Sequence, residues 1–231
     1  MHDPLSASRR FAEAARIYSR AVAIHDRTAA RIRATGREDA AERVEQLAAV
    51  ARDRIDQPAA MTRMYALARR LRTALQLTDL LDDALDGAIT FLAADFGNIQ
   101  LTGIGTKRLR LVTHRGFTED FLDHFAVVGD EQAACGRAAA AGTQAVIADV
   151  KLDAAFAPHL AIAAASGFRA VQSTPLIDAN GALRGVLSTH FRNPHRPADH
   201  ELRLTAIYAR LVADAIARTQ TRGYSLIDSH T

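Results

Sequence analysis

The stretch from residue 170 to residue 191, AVQSTPLIDANGALRGVLSTHF, constrains the fold more than any other part of the chain. Residues 170–177 are short and rich in β-branched side chains, and they read as a strand. Asp178-Ala179-Asn180-Gly181 follows with turn chemistry, because Asn and Gly accept the positive φ of tight hairpin connections. Residues 182–191 then alternate. Leu183, Gly185, Leu187 and Thr189 fall on one side; Val186, Ser188 and His190 fall on the other. A two-stranded hairpin is not stable alone in water, so the rest of the chain must cover it.

The cover is helical before residue 95. Phe11, Ala15, Tyr18, Val22, His25, Ala29 and Ile32 recur at spacings of four and three and predict a helix over residues 6–34. Ala14, Ile17, Ala21 and Ile24 widen its apolar stripe beyond a narrow coiled-coil seam. Gly36 suits a C-terminal cap, and a second helix with Val44, Leu47, Ala48, Ala51 and Ile55 on one side ends before Pro58. Together they predict an antiparallel helical hairpin whose apolar surface calls for dimerisation. Met61, Met64, Ala68, Leu71 and Leu75 carry a third helix. Thr78-Asp79 reads as the N-cap of a further helical stretch over residues 80–93, and the pattern fits either one bent helix or two over 63–75 and 80–93.

From Asp95 the hydrophobic period changes from 3.6 to 2. Strands are expected at 97–102, 108–114 and 144–150, with short helices at 117–124, 131–141 and 159–165. A loop around Phe156 spans 151–157, and a closing helix spans 199–218. The expected organisation is an N-terminal helical hairpin over 1–58, a connecting helix over 59–77, an α+β domain over 78–218 and a tail over 219–231. Within the α+β domain the first and last helices can lie together on one face of the sheet.

Composition narrows the class. The chain has 231 residues, 48% of them hydrophobic and 24% charged, ordinary values for a globular protein. No stretch approaches a membrane span, and the N-terminus lacks a charged-then-apolar signal pattern; a cytoplasmic protein without a membrane partner is the expectation. Cys135 is the single cysteine, which excludes an internal disulfide framework and a cysteine-based metal site. The pI near 9.4 rests on a net charge of only +3, and there is no Trp, so composition argues against nucleic acid as a partner.

Several segments together resemble the GAF domain family of small-molecule-sensing modules. They are Asp95–Gln100, Leu109–Phe117, Cys135–Ala138, Val146–Val150, Asp153 with Phe156, Gly167–Leu176 and Gly185–Phe191. The likeness covers about residues 78–218 and is nearest the bacterial members found beside PAS domains and histidine kinases. It implies a GAF-like antiparallel sheet of five or six strands with flanking helices, preceded by the all-α N-terminal hairpin. It also implies a ligand pocket between sheet and the insertions around 117–165, and homodimerisation through the flanking helices. A signalling partner such as a histidine kinase, and an unidentified small molecule, follow from the same resemblance; no cofactor is named by it. Fold alone does not supply function.

Candidate site residues are weighed against structural roles. Cys135, at the start of a helix-like run, is either a thiol sensor or a small buried residue. Cys135 is followed by Gly136, whereas bilin-holding relatives commonly have Cys-His. Relatives that reduce free methionine sulfoxide use several cysteines, and one thiol lacks a resolving partner, so a non-enzyme is expected. Asp149, Asp153 and Phe156 border the loop that would close the pocket, the two carboxylates either serving the site or only fixing the turn through Asx hydrogen bonds. Gln172, Ser173, Thr174, Thr189 and His190 are polar groups on central strands that need partners if buried, either a ligand or one another. His114, His124, His159 and His195 are too scattered to predict a metal site. His25-Asp26-Arg27 is a remote candidate for phosphotransfer, and no Gly-rich nucleotide motif accompanies it. The alternatives to a sensor are a ligand-free dimerisation or interaction scaffold and a methionine sulfoxide reductase-like enzyme.

Overall fold

The structure, a computed structural model, describes residues 20–48, 71, 74, 76–103, 108–129 and 131–221. Most of the connecting helix expected over 59–77, the first 19 residues and the tail beyond 221 lie outside the described residues. The chain divides into two compact units, Met1–Arg63 and Met64–Thr231. No helix among the described residues is long and apolar enough to cross a membrane.

In the first unit, helix α1 (20–33) and helix α2 (38–48) are joined at Gly36, whose φ of +76° is the left-handed cap the sequence predicts. Ala29, Ala41 and Ala48 are buried, while Ile24 and Leu47 are 54% and 55% exposed. Leu47, expected on the inward side, therefore faces out.

The second unit begins with helix α3 (Leu77–Leu92). It starts ahead of the expected Thr78-Asp79 cap, with Gln76 at the N-cap position and no side-chain capping bond. Its buried stripe of Leu77, Leu80, Leu81, Ala84, Leu85 and Ala88 is strong enough to carry the helix back over that signal. Strands β1 (Phe96–Thr102) and β2 (Leu109–Arg115) follow, then helix α4 (Glu119–His124) and a two-residue strand β3 (Val127–Val128). Helix α5 (Ala134–Ala141) leads to strand β4 (Ala145–Ile147), shorter than the 144–150 expected. The Asp149 carboxylate accepts from the Lys151 amide and turns the chain into a 3-10 turn at Val150–Leu152. A second 3-10 turn, Ala154–His159, is capped by Asp153 and runs into helix α6 (Leu160–Ser166). The loop expected at 151–157 is thus an ordered strap of two capped turns.

Strands β5 (Ala170–Ile177) and β6 (Leu183–Phe191) form the anticipated hairpin, and helix α7 (Asp199–Thr221) closes the unit. It runs three residues past the expected end at Arg218; Thr219 is buried and its hydroxyl donates to the Ala215 carbonyl. All six strands pair antiparallel in the order β3-β2-β1-β6-β5-β4. In the hairpin turn the Asp178 carboxylate accepts from the Asn180 and Ala182 amides and from Arg184. The Ala182 amide first, and then Arg184, hold that carboxyl below its ordinary range.

Helices α3 and α7 lie together on one sheet face. Leu204, Tyr208, Val212, Ala215 and Ile216 of α7 are buried, and the Tyr208 hydroxyl donates to the Ala84 carbonyl at 2.9 Å. Ile207 of the same helix is 48% exposed. Gly185 lets β6 approach β1: a Cβ there would stand 2.1 Å from the Gln100 carbonyl oxygen. The other face is roofed by α4, α5 and the strap, and the candidate site lies beneath that roof.

Candidate functional site

Period-2 alternation sorts the polar residues of the central strands onto two faces. Gly97 of β1 lies under α3, since a Cβ there would meet Leu85 Cδ1 at 2.9 Å. Thr189 pairs with Gly97 and Gln172 pairs with Thr189, so these two side chains belong to the α3–α7 face. Thr174, two residues from Gln172, belongs there too; its hydroxyl accepts from Gln144 at 3.1 Å. The intervening residues, Asn98, Gln100, Ser173, Ser188 and His190, face the roof and line one cavity of about 20 Å³.

The sequence candidates therefore divide. Cys135, Phe156, Ser173 and His190 meet at that cavity. Gln172, Thr174 and Thr189 lie on the opposite face, placed there by strand register. Asp149 belongs to the strap: Arg169 donates to its carboxylate through Nε at 3.0 Å and through a guanidinium nitrogen to the other oxygen. That pairing holds the Asp149 carboxyl below its ordinary range.

The roof is aromatic. The chain has nine phenylalanines, and six of them, Phe96, Phe117, Phe121, Phe125, Phe156 and Phe168, belong to the cluster under it. Phe117, Phe121 and Phe168 present themselves to the His190 imidazole edge-to-face, with centroids 4.9, 5.8 and 4.8 Å away. This apolar enclosure pushes the His190 pKa from 6.5 down to about 3, because burial penalises the charged ring. His190 is therefore neutral at physiological pH.

Three buried acceptor-capable atoms at this cavity have no protein partner: Asn98 Oδ1, Gln100 Oε1 and His190 Nδ1. Gln100 is oriented by its own amide, whose Nε2 donates to the Phe125 carbonyl at 3.2 Å and leaves Oε1 toward the site. The Ser173 and Ser188 hydroxyls bond each other at 2.8 Å. An unmatched buried polar atom costs about 1–3 kcal/mol, so these acceptors call for a donor that the protein itself does not supply.

The strap closes the site from one side. Asp153 accepts from the Phe156 amide at 3.0 Å and receives a two-pronged bond from Arg137 of α5. Arg137 also donates to the Glu131 and Gln132 carbonyls. Its guanidinium, ahead of all else, holds the Asp153 carboxyl low. At the far end His124 Nε2 and His159 Nδ1 lie 2.9 Å apart, a pairing that the scatter of histidines in the sequence concealed. No group of three or more metal-ligating side chains occurs among the described residues.

Asn98, Gln100 and the phenylalanines other than Phe156 were not among the sequence candidates. A signal for two of them existed: β1 is otherwise apolar or small up to Leu101, and Asn98 and Gln100 stand two apart on it. The phenylalanines come from separate elements, and only the fold assembles them.

The comparisons agree with this architecture. The family model described as GAF domain matches residues 74–217, and the chain belongs to that family. Among solved structures, the GAF domain of a phosphoenolpyruvate-protein phosphotransferase from Coxiella burnetii superposes with a TM-score of 0.62 at 17% identity, covering 73% of this chain and 99% of that one. The free methionine-R-sulfoxide reductase from Neisseria meningitidis, solved with its substrate, gives 0.59 at 15% identity, covering 72% and 93%. A domain of a protein assigned as a two-component sensor histidine kinase from Sinorhizobium meliloti 1021 gives 0.53 at 24% identity, covering 66% and 100%. No curated protein matches the sequence.

Proposed function

We propose that this chain is a cytoplasmic signalling protein whose GAF domain binds a small molecule between the sheet and the α4–α5–strap roof. The observation that carries the reading is the set of three buried, unpartnered acceptor atoms converging under a phenylalanine roof. β1 and β6 provide the coupling. Asn98 and Ser188 face the cavity while their neighbours Gly97 and Thr189 lie beneath α3, so a ligand that shifts these strands also shifts α3 packing. The output runs through helices. Exposed Ile24 and Leu47 on the N-terminal hairpin support self-association or contact with a partner, of which a histidine kinase is one kind. The solved relative assigned as a sensor histidine kinase supports the same context.

The proposal is not of an enzyme. Cys135 lines the cavity, but it is the single cysteine, and thiol-based sulfoxide reduction needs a resolving thiol. A ligand-free interaction scaffold is the second reading, favoured by one observation: the cavity is only about 20 Å³, room for roughly one water.

Native mass spectrometry of protein purified from its own host, followed by thermal-shift screening with a metabolite panel, separates the two. A co-purifying small molecule or a ligand-dependent shift supports sensing; neither supports the scaffold. Sedimentation at several concentrations tests self-association, and a concentration-independent monomer mass excludes it.

A further inference from the structure

The chemistry around the cavity restricts what it can hold. None of its lining side chains is Asp, Glu, Lys or Arg. A charged ligand would be stripped of water with no counter-charge to meet it, the least favourable way to bury an ion. His190 would be its natural source of positive charge, but its ring is buried against the stacked Phe117 and Phe121 rings and against Phe168. Two of the three unmatched polar atoms are acceptors only. Asn98 Oδ1 and Gln100 Oε1 can only accept, with the Gln100 amide held in that sense by its bond to the Phe125 carbonyl. His190 Nδ1 accepts or donates according to tautomer.

One helix, α5, contributes to two spaces. Ala134 and Cys135 of α5 line the cavity. Gly136, Ala139 and Ala140 of the same helix line a cleft of about 260 Å³ against Leu109, Val128, Gly129 and Glu131, so the one charged side chain of the cleft is a carboxylate, which disfavours an anion further. Apart from Arg137, every residue of α5 is Ala, Cys or Gly, and Arg137 ties the helix to the strap through Asp153. Admitting a ligand larger than water would require α5 to move outward from β4, β5 and β6 so that cavity and cleft join. Joined in that way, the two would hold a molecule of several heavy atoms.

Resting on the sensor reading above, we propose that the site takes a small uncharged molecule carrying N–H donors, of the carboxamide class. Its donors would meet Asn98 and Gln100, and its apolar remainder would lie among the phenylalanines.

The test uses the full chain, ¹⁵N-labelled, and matched probes: acetamide against acetate, nicotinamide against nicotinate, with toluene as an apolar probe lacking donors. The expected result is that the two amides shift the Asn98 and Gln100 side-chain NH₂ resonances while acetate and nicotinate bind at least tenfold more weakly. Asn98→Leu and Gln100→Met, which keep shape and remove the acceptor, should each weaken amide binding about tenfold while folding is retained by circular dichroism. If a carboxylate or toluene binds there as well as the amides do, the ligand class is overturned and the sensor reading stands. If no probe perturbs the cavity residues and a crystal soaked in nicotinamide holds only water there, the carboxamide class is overturned, and the sensor reading is decided separately by the native mass and metabolite-panel measurements above.

Discussion

Arg137 and Asp153, sixteen residues apart, form a two-pronged ion pair with N–O distances of 2.7 and 2.8 Å that fastens α5 to the strap over the cavity. The same carboxylate caps the 3-10 turn carrying Phe156, so one acid orders a turn, holds a roof residue and links two covering elements. Both side chains are about one-quarter exposed, which places the pair between a screened surface bridge and a buried one. Arg137→Met should cost about 1 kcal/mol of global stability, less at high salt. The more specific outcome is local: amide exchange at 154–157 should accelerate by tenfold or more relative to β1. Uniform acceleration through β1 would show that the pair is not a latch on the roof.

His190 couples stability to pH. Its folded pKa of about 3 lies below the unfolded value near 6.5, so the unfolded chain binds more protons as pH falls. This contribution is complete above about pH 6.5 and is lost as pH drops toward 3. Between pH 7 and pH 5 it amounts to about 2 kcal/mol. Urea unfolding at the two pH values should show that loss in the natural chain and little of it in His190→Met. Asp149, Asp153 and Asp178, whose carboxyls are held low, act in a separate window: their stabilisation is present above about pH 4 and is lost below it. An equal loss in His190→Met between pH 7 and 5 would exclude the neutral, desolvated ring.

Gly185 and Gly181 are required for different reasons, and alanine distinguishes them. At Gly185 a Cβ would sit 2.1 Å from the Gln100 carbonyl oxygen and 3.0 Å from the Leu101 Cα, both backbone atoms that a rotamer change cannot move. Gly185→Ala should separate β1 from β6 and cost about 3 kcal/mol or more. At Gly181 no atom lies within 4 Å of the place a methyl group would take, but φ is +81°, so Gly181→Ala should cost about 1–2 kcal/mol of backbone strain. Chemical denaturation gives both values; the reverse order would contradict the register of β1 against β6.

Ala93 is the single non-glycine residue with positive φ among the described residues, at +50° in the C-cap of α3. Left-handed backbone costs a residue with a Cβ about 1–2 kcal/mol, and glycine gives back about half through its freer unfolded chain. Ala93→Gly should therefore stabilise the domain by about 0.5–1 kcal/mol, read as a raised denaturation midpoint with unchanged slope.

The fold was legible where local pattern and tertiary demand coincide. The 170–191 hairpin, its Asp178–Gly181 turn and the pairing of first and last helices all follow from period and turn chemistry. The strap was legible only in the turn-fixing role of Asp149 and Asp153, which accept from the Lys151 and Phe156 amides. Lys151–Ala157 has no periodicity, and its order comes from carboxylates that cap two successive turns and reach Arg169 and Arg137, residues distant in sequence. The short length of β4 has the same origin in Asp149.

By itself the sequence determined the family, the antiparallel hairpin and the alternation that puts Ser188 and His190 on one side and Thr189 on the other. Which side faces the cavity was decided only in three dimensions. Pairing of Gly97 with Thr189, and of Thr189 with Gln172, assigns Gln172, Thr174 and Thr189 to the helices and leaves Ser173, Ser188 and His190 to the roof. The physical reason is that period 2 defines two faces without labelling them. A face acquires its identity from what packs on it: here Leu85 and Ile89 of α3 on one side, and phenylalanines gathered from separate elements on the other.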